Sequence, residues 1–350
     1  MPVPQRRQAP TQADVARVAG VSQGAVSAVI GGRAGQQRIT AETARRVLDA
    51  VQELGYVANA SARSLKGKRN RLLGVHTFES VFPISRMDFY HEFLIGIEEE
   101  AVAEGYDLVL FTSTEETNGQ RQVYRGGSNR LNIADGSVLL GIASDNSDLA
   151  RLAAEGYPFV HVGRRDVPGA DIAWVGADYG TTTAELVGHL AALGHRNIGY
   201  VGDAERYEAS GDRESGYRAG CGAAGVTPSV LFTRPEGLTT EWFDGVIGSG
   251  VTALMMENED AAMRVAGFAH SRGLAIPQDL SIVVLIKTFS GPTPDRPWST
   301  LGIPRNDMGR SAVRLLIEMI DAPDSPPDRH ILLSCTAPEN STIAAAPTSR

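Results

Sequence analysis

The 350-residue chain is poor in cysteine, lysine and aromatic residues. It has two cysteines, Cys221 and Cys335, and three lysines, and Phe, Trp and Tyr make up 6% of it. Two distant cysteines argue against a disulfide framework and fit a reducing compartment. No run of about 18 apolar residues occurs, so no membrane-spanning helix is predicted. The N-terminal MPVPQRRQAP lacks an apolar core, so a cytoplasmic protein without a secretory signal is expected. The sequence has no G-x-S-x-G and no H-E-x-x-H, and its seven histidines are scattered. An enzyme, a metal site or a cofactor is therefore not expected. Gly220-Cys221-Gly222-Ala223-Ala224-Gly225 spells G-x-G-x-x-G, but it falls inside a predicted helix. A dinucleotide loop needs a strand before it and a helix after it.

Negative charge dominates the whole chain, with a net of −8, but not all of its parts. Residues 1–71 carry 12 Lys+Arg against 4 Asp+Glu, a net of +8; residues 72–350 carry 21 against 37, a net of −16. A basic head on an acidic body is the footprint of a domain that meets phosphates. The head is also patterned. TQADVARV predicts a short helix capped by Thr11, with Val15 and Val18 on one face. Gly20 suits a tight turn, Ser22 caps a second short helix, and Val26, Val29 and Ile30 are expected inward. Thr40 caps a longer helix with Val47, Leu48, Val51 and Leu54 at helical spacing, and Gly55 ends it. Two short helices about a glycine turn form a helix-turn-helix. The expected divisions are a disordered 1–10, a DNA-binding domain over 11–57, a hinge over 58–71, and a body over 72–350.

From residue 72 the pattern becomes α/β. LLGVHTF, DLVLFTS, SVLLGI and PFVHVG read as buried strands, with helices near 88–104, 117–131 and 145–155. The alternation restarts near 178: NIGYVG, VTALMM and LSIVVLI are strands, with helices near 178–194, 212–225 and 259–273. A further helix spans 305–321, and a late strand lies near 331–335. Such alternation predicts two doubly wound parallel-sheet lobes, roughly 72–176 with 303–335, and 177–302.

Three segments, TQADVARVAGVSQGAVSAVI, ITAETARRVLDAVQELGY and NASARSL, resemble the DNA-binding head of the LacI (lactose/galactose repressor) family. The likeness covers residues 11–75 in order. The body landmarks ADGSVLL, LAALGHRNIGYVGD, RESGYRAG and GLAIPQDLSIV are similar to that family's effector core, which is built like periplasmic sugar-binding proteins. The resemblance implies a transcription regulator, most simply a repressor. It implies a homodimer or tetramer on double-stranded operator DNA, controlled by a small molecule between the lobes. The alternative is a binding protein or enzyme of the same fold with a vestigial head.

In the family the second helix enters the major groove. Thr11 and Ser22, with the outward Gln23, Gly24, Ala25, Ser27 and Ala28, form the implied DNA-facing set. The family often has Thr and Arg where Ala25 and Ala28 stand, so the operator is expected to differ from the common half-site. The family's hinge pairs in the minor groove with a leucine wedged between bases. Asn59, Ala62, Arg63 and Leu65 match that segment, with Leu65 as the wedge. Lys66, Lys68, Arg69 and Arg71 can neutralise phosphate. In the cleft, Arg213 matches the arginine that grips effector, and an ion pair with Asp212 or Glu214 is the plainer reading. Asp178 (a cleft residue or a helix cap), Asn258 with Glu259, Phe89 (an aromatic wall or a core residue) and Arg164 complete the implied effector set. Where the family has a ligand-binding aspartate this chain has Ile286, followed by Lys287. The expected effector is a sugar or sugar derivative, acidic if Arg164, Arg213 and Lys287 face the cleft; the alternative is a neutral sugar, with Lys287 snorkelling to solvent at a strand end.

Overall fold

The computed structural model describes residues 10–30, 39–56, 69–79, 87–112, 116–117, 120–142, 145–286, 297–323, 328–339 and 341–348. It forms two compact units, Met1–Asn70 and Arg71–Arg350.

In the first unit α1 spans Gln12–Ala19, α2 Gln23–Ile30 and α3 Ala41–Leu54. Thr11 and Asp14 form a reciprocal capping box that satisfies donors at the start of α1. Gly20 ends α1 at φ 64°, a left-handed conformation that costs glycine little. Val15, Ala16, Ala19, Val26, Val47 and Ala50 make the small core. Two expected core residues are outside it: Val18 is 38% and Leu48 54% exposed. The buried stripes on α1 and α3 are narrower than helical spacing alone implied, because short helices touch along few turns.

The second unit has two lobes, each a parallel sheet covered on both faces. The first lobe's strands run in the order His330–Leu333, Ala173–Ala177, Phe159–Val162, Gly136–Leu140, Leu72–Thr77 and Asp107–Phe111. Helices Met87–Ala103 and Arg305–Asp321 pack on one face, and Asn146–Ala154 lies against the other. The second lobe's strands run Ser229–Phe232, Ile198–Gly202, Ala253–Met256, Ser281–Val284 and Ser299–Thr300. Helices Tyr179–Ala192 and Glu208–Ala224 contribute to one core of this lobe. Thr240–Gly248 and Glu259–Ser271 contribute to the other.

The described residues of 117–131 form no α-helix where one was expected. Tyr124–Arg125 pairs antiparallel with Ser128–Asn129, and Glu116–Thr117 with Gln120–Arg121. Gly126 and Gly127 both have positive φ, 55° and 80°. That is the two-residue hairpin turn whose twist suits antiparallel strands, and it overrides the apolar spacing nearby. The strand Ser229–Phe232 and helix Thr240–Gly248 had no counterpart in the pattern reading.

The lobes are joined at Ala177–Asp178, at Leu301–Ile303 and near Cys335–Thr336. The last two crossings pair with each other: Gly302 and Thr336 exchange backbone hydrogen bonds of 3.0 and 2.9 Å. The C-terminal segment returns to the second lobe. Thr342 bonds Ile282 and Ser299, and Ile343 enters that core. His195 holds the same segment through the Ala344 carbonyl, 3.0 Å, and contacts Thr252 Oγ1 at 2.8 Å.

The glycines of the G-x-G-x-x-G string have structural tasks. Gly220 lies inside helix Glu208–Ala224, where a side chain would meet Ala184 and Val187 of the neighbouring helix. Gly225 caps that helix at φ 66°.

Candidate functional site

The head presents a short polar surface at the start of α2. Ser22 Oγ accepts from the Ala25 backbone N–H at 3.2 Å, which fixes the helix entry. Ser22, Gln23 and Gly24 are exposed, and Ala25 and Ser27 half-buried. Ala28 is a correction: it is fully buried rather than outward. A lone methyl is easily screened by neighbouring chain where a longer side chain would project. Thr11 is committed to its capping box, with its backbone N–H and hydroxyl both donating to Asp14 Oδ2. Asn59, Ala62, Arg63 and Leu65 lie outside the described residues.

Arg71, expected to meet phosphate, is held on the body instead. Its guanidinium donates to the Glu104 carbonyl at 3.1 Å and covers the Tyr106 ring. Its backbone N–H donates to Asp135 at 2.8 Å, and its φ is +61°. That conformation is disfavoured for arginine, so these contacts hold it.

In the body, Asp178 and Asn258 follow strands at their carboxyl ends, the usual ligand edge of open parallel sheets. Asp178 follows Ala173–Ala177 and caps the next helix, its Oδ1 accepting from Thr181 N at 3.0 Å. Asn258 follows Ala253–Met256 and caps helix Glu259–Ser271 by accepting from Ala261 N at 2.7 Å; its amide donates to Asp203. Glu259 is the first residue of that helix and half-buried. Both caps are geometrically required by their helices, so their side chains are already in use.

Arg213 is not in the ion pair the plainer reading gave it. It is 3% exposed on helix Glu208–Ala224, with its guanidinium 4.0 Å from the centre of the Tyr179 ring. Its Nε is buried without a hydrogen-bond partner among the described residues. Small residues allow the approach. A side chain at Gly216, one turn on, would strike the Gly180 carbonyl.

Arg305 was missed by the sequence reading, because nothing local marks it. It opens helix Arg305–Asp321 of the first lobe and stacks over Phe89, 5.1 Å from the ring centre. Phe89 in turn packs against Tyr90 and Phe93 at the margin of the first lobe's core. Arg305 Nε is also buried without a hydrogen bond among the described residues. Its nearest ion-pair carboxylate among the described residues is Glu92, at 3.8 Å. Burial lowers the affinity of Arg305 for its proton, and the positive charge of Arg213 acts in the same direction. Tyr179 and Cys335 also act electrostatically on Arg305. Burial raises the Cys335 thiol above its ordinary value, and both arginines partly offset that.

Arg164 is a second correction. It does not offer a free charge to the cleft. Its Nε and Nη2 grip both oxygens of Asp212 at 2.9 and 2.7 Å, and Nη1 meets Asp166. The next residue repeats the pattern: Arg165 bonds Glu208 at 3.0 Å and the carbonyls of Gly141 and Ile142. Asp212 and Glu208 lie on the second lobe's helix, so these two arginines fasten one lobe to the other. Asp attracts Arg164 because fork and carboxylate match; one sequence cannot show that the two meet. Ile286 is described and half-buried, and Lys287 lies outside the described residues.

Among the described residues no helix is long and apolar enough to cross a membrane. Residues 11–59 match the bacterial regulatory proteins, lacI family, and residues 187–342 match the periplasmic binding protein-like domain. The HTH-type transcriptional regulator CelR of Thermobifida fusca is 28% identical over 342 residues, spanning 94% of this chain and 97% of that one. A solved structure of a CelR–cellobiose complex aligns with TM-score 0.59 and 23% identity, covering 93% of this chain and 98% of the other. A Lac repressor dimer bound to operator and the anti-inducer ONPF aligns with TM-score 0.72 and 21% identity, covering 96% and 100%. Residues 11–59 are thus a head of the lacI family of bacterial regulatory proteins, and residues 187–342 a periplasmic-binding-protein-like domain of the body.

Proposed function

We propose that this chain is a dimeric transcription regulator, most simply a repressor, whose operator affinity is set by a small sugar-class effector held between the lobes. The observation that carries the reading is the pairing, in one chain, of a capped helix-turn-helix with a two-lobed body. That body's lobe boundary buries an arginine lacking an acidic partner among the described residues. The relatives are transcription regulators, and no catalytic role is assigned.

Ser22, Gln23 and Gly24 meet the major groove in this reading. Gln23 supplies an amide suited to adenine, and Ala25 a methyl for thymine. The hinge residues Asn59, Ala62, Arg63 and Leu65 continue the contact into the minor groove, with Leu65 wedging a base step. Two heads on a dimer read inverted half-sites. Effector binding and operator binding favour different lobe arrangements, and the coupling is reciprocal.

The test is a gel-shift titration of the full chain against DNA selected from a random pool. Inverted repeats bound with steep salt dependence support the reading. Leu65→Ala should weaken selected DNA far more than random DNA, since it removes a wedge and no charge. A chain that retains neither selected DNA nor heparin would favour a binding protein with a vestigial head.

A further inference from the structure

The structure assigns an anion-binding position to the lobe boundary: we propose that the effector carries an acidic group gripped between Arg213 and Arg305. This rests on the reading of the boundary as the effector site and names the ligand class it takes.

Each guanidinium lies against an aromatic face, Arg213 on Tyr179 at 4.0 Å and Arg305 on Phe89 at 5.1 Å. A ring holds a guanidinium plane and leaves its edge donors pointing away from the stack. Those donors are poorly used. Among the described residues both Nε atoms are buried without hydrogen-bond partners, and Arg213 forms no ion pair. The surrounding carboxylates do not make up the deficit. Asp178 is occupied in capping its helix, and Glu92 stands 3.8 Å from Arg305 with most of its own side chain in solvent.

A buried cation without a partner is costly, and the deficit is met when a ligand brings the opposite charge. Arg213 comes from the second lobe's helix and Arg305 from the first lobe's, so one anion touching both ties the lobes together. Asp178 acts electrostatically on the same Cys335 as both arginines; its helix cap uses Oδ1, so Oδ2 can accept from a ligand hydroxyl. The chemistry is that of a hydroxylated acid: a sugar carboxylate or a sugar phosphate. Nothing in it needs Arg164 or Lys287, which an acidic effector had been expected to use.

The experiment is titration calorimetry of the full chain with glucuronate, gluconate, glucose 6-phosphate, glucose and cellobiose. Alkylation of Cys335 by a small reagent is followed in parallel, since Cys221 is fully buried. An acid should bind at least tenfold tighter than the neutral sugars and slow the alkylation. Preference among the three acids separates carboxylate from phosphate. Arg305→Met should cut acid affinity at least tenfold while the ligand-free protein melts no lower than wild type, because the change removes an underused buried cation. Arg305→Lys, which keeps charge and loses the fork, should fall between. Tight binding of a neutral sugar that protects Cys335 and ignores Arg305→Met overturns the anion site and leaves the effector cleft standing. Binding that leaves the Cys335 rate unchanged removes the cleft reading and the anion site together. Absence of binding by all three acids, or a ligand-free Arg305→Met protein that melts well below wild type, overturns the proposal.

Discussion

Two pairs of arginines stand at the boundary between the lobes, and the fold treats them in opposite ways. Arg164 and Arg165 are met by Asp212 and Glu208 across the boundary, in a two-pronged grip and a buried pair. Arg213 and Arg305 are met by aromatic rings, which support a guanidinium without neutralising it. The first pair spends its charge on holding the lobes; the second keeps charge available. A polar boundary can therefore be fastened and receptive at once, provided the two tasks fall on different residues.

The largest expected effect separates the pairs by function. Arg213→Ala should weaken effector binding about 100-fold or more, on the scale of ~3 kcal/mol, since hydrogen bonds to charged groups are worth roughly 1.5–3 kcal/mol each. Calorimetry reads this directly, and a change below threefold would place Arg213 outside the site.

Arg165→Ala should act on stability instead. It strips a buried cation from Glu208 and from two carbonyls. A loss of about 3 kcal/mol in urea unfolding is the expected scale for breaking a buried pair. If effector affinity fell while stability held, the division between fastening and receptive arginines would be wrong.

The first lobe's interior holds buried titratable groups of another kind. His76 and His161 flank Leu139 in register on one face of the sheet, and both are buried. Burial, reinforced by Arg121 and Arg130, pulls His76 down to about 4; burial and Arg165 pull His161 down to about 3. The unfolded chain takes up these protons near pH 6.5 and the folded chain does not until far lower. Stability is thus full above about pH 6.5 and falls as pH drops toward 4. For His76 alone the fall is about 3 kcal/mol, from roughly 2.5 pH units at 1.36 kcal/mol each. Urea midpoints at pH 7.5 and 5 should show it, and His76→Leu should flatten the curve. Equal acid lability in that variant would mean the titrating group lies elsewhere.

The smallest effect sharpens the first comparison. Arg164 and Asp212 are each about a quarter exposed, so solvent screens them. Arg164→Ala and Asp212→Asn should each cost about 1 kcal/mol or less, and the double variant little more than either alone. Additive losses in that cycle would mean that the two residues do not act as a pair.

Much of the architecture was readable because it is local. Thr11 with Asp14, Gly20, Ser22, Thr40 and Gly55 mark helix ends through backbone needs that depend on a few neighbouring residues. Most strands of the two sheets read as apolar runs because a parallel strand is covered on both faces. The region over 117–131 misled because two glycines with positive φ outweigh helical spacing. Val18 and Leu48 misled because periodicity gives a face but not its width.

Composition and spacing by themselves determined that a basic helix-turn-helix precedes an acidic two-lobed α/β body. The family resemblance, and not composition or spacing, put Arg213, Asp178 and Asn258 forward as effector candidates. Only tertiary structure decided which charges remain available. Arg164 and Asp212 are 48 residues apart, and Arg213 and Arg305 come from different lobes. A sequence fixes the sign of each charge, whereas pairing energy depends on distance, burial and the geometry of the partner. Those quantities exist only once the sheets have twisted, the helices have packed through their glycines, and the boundary has closed around its arginines.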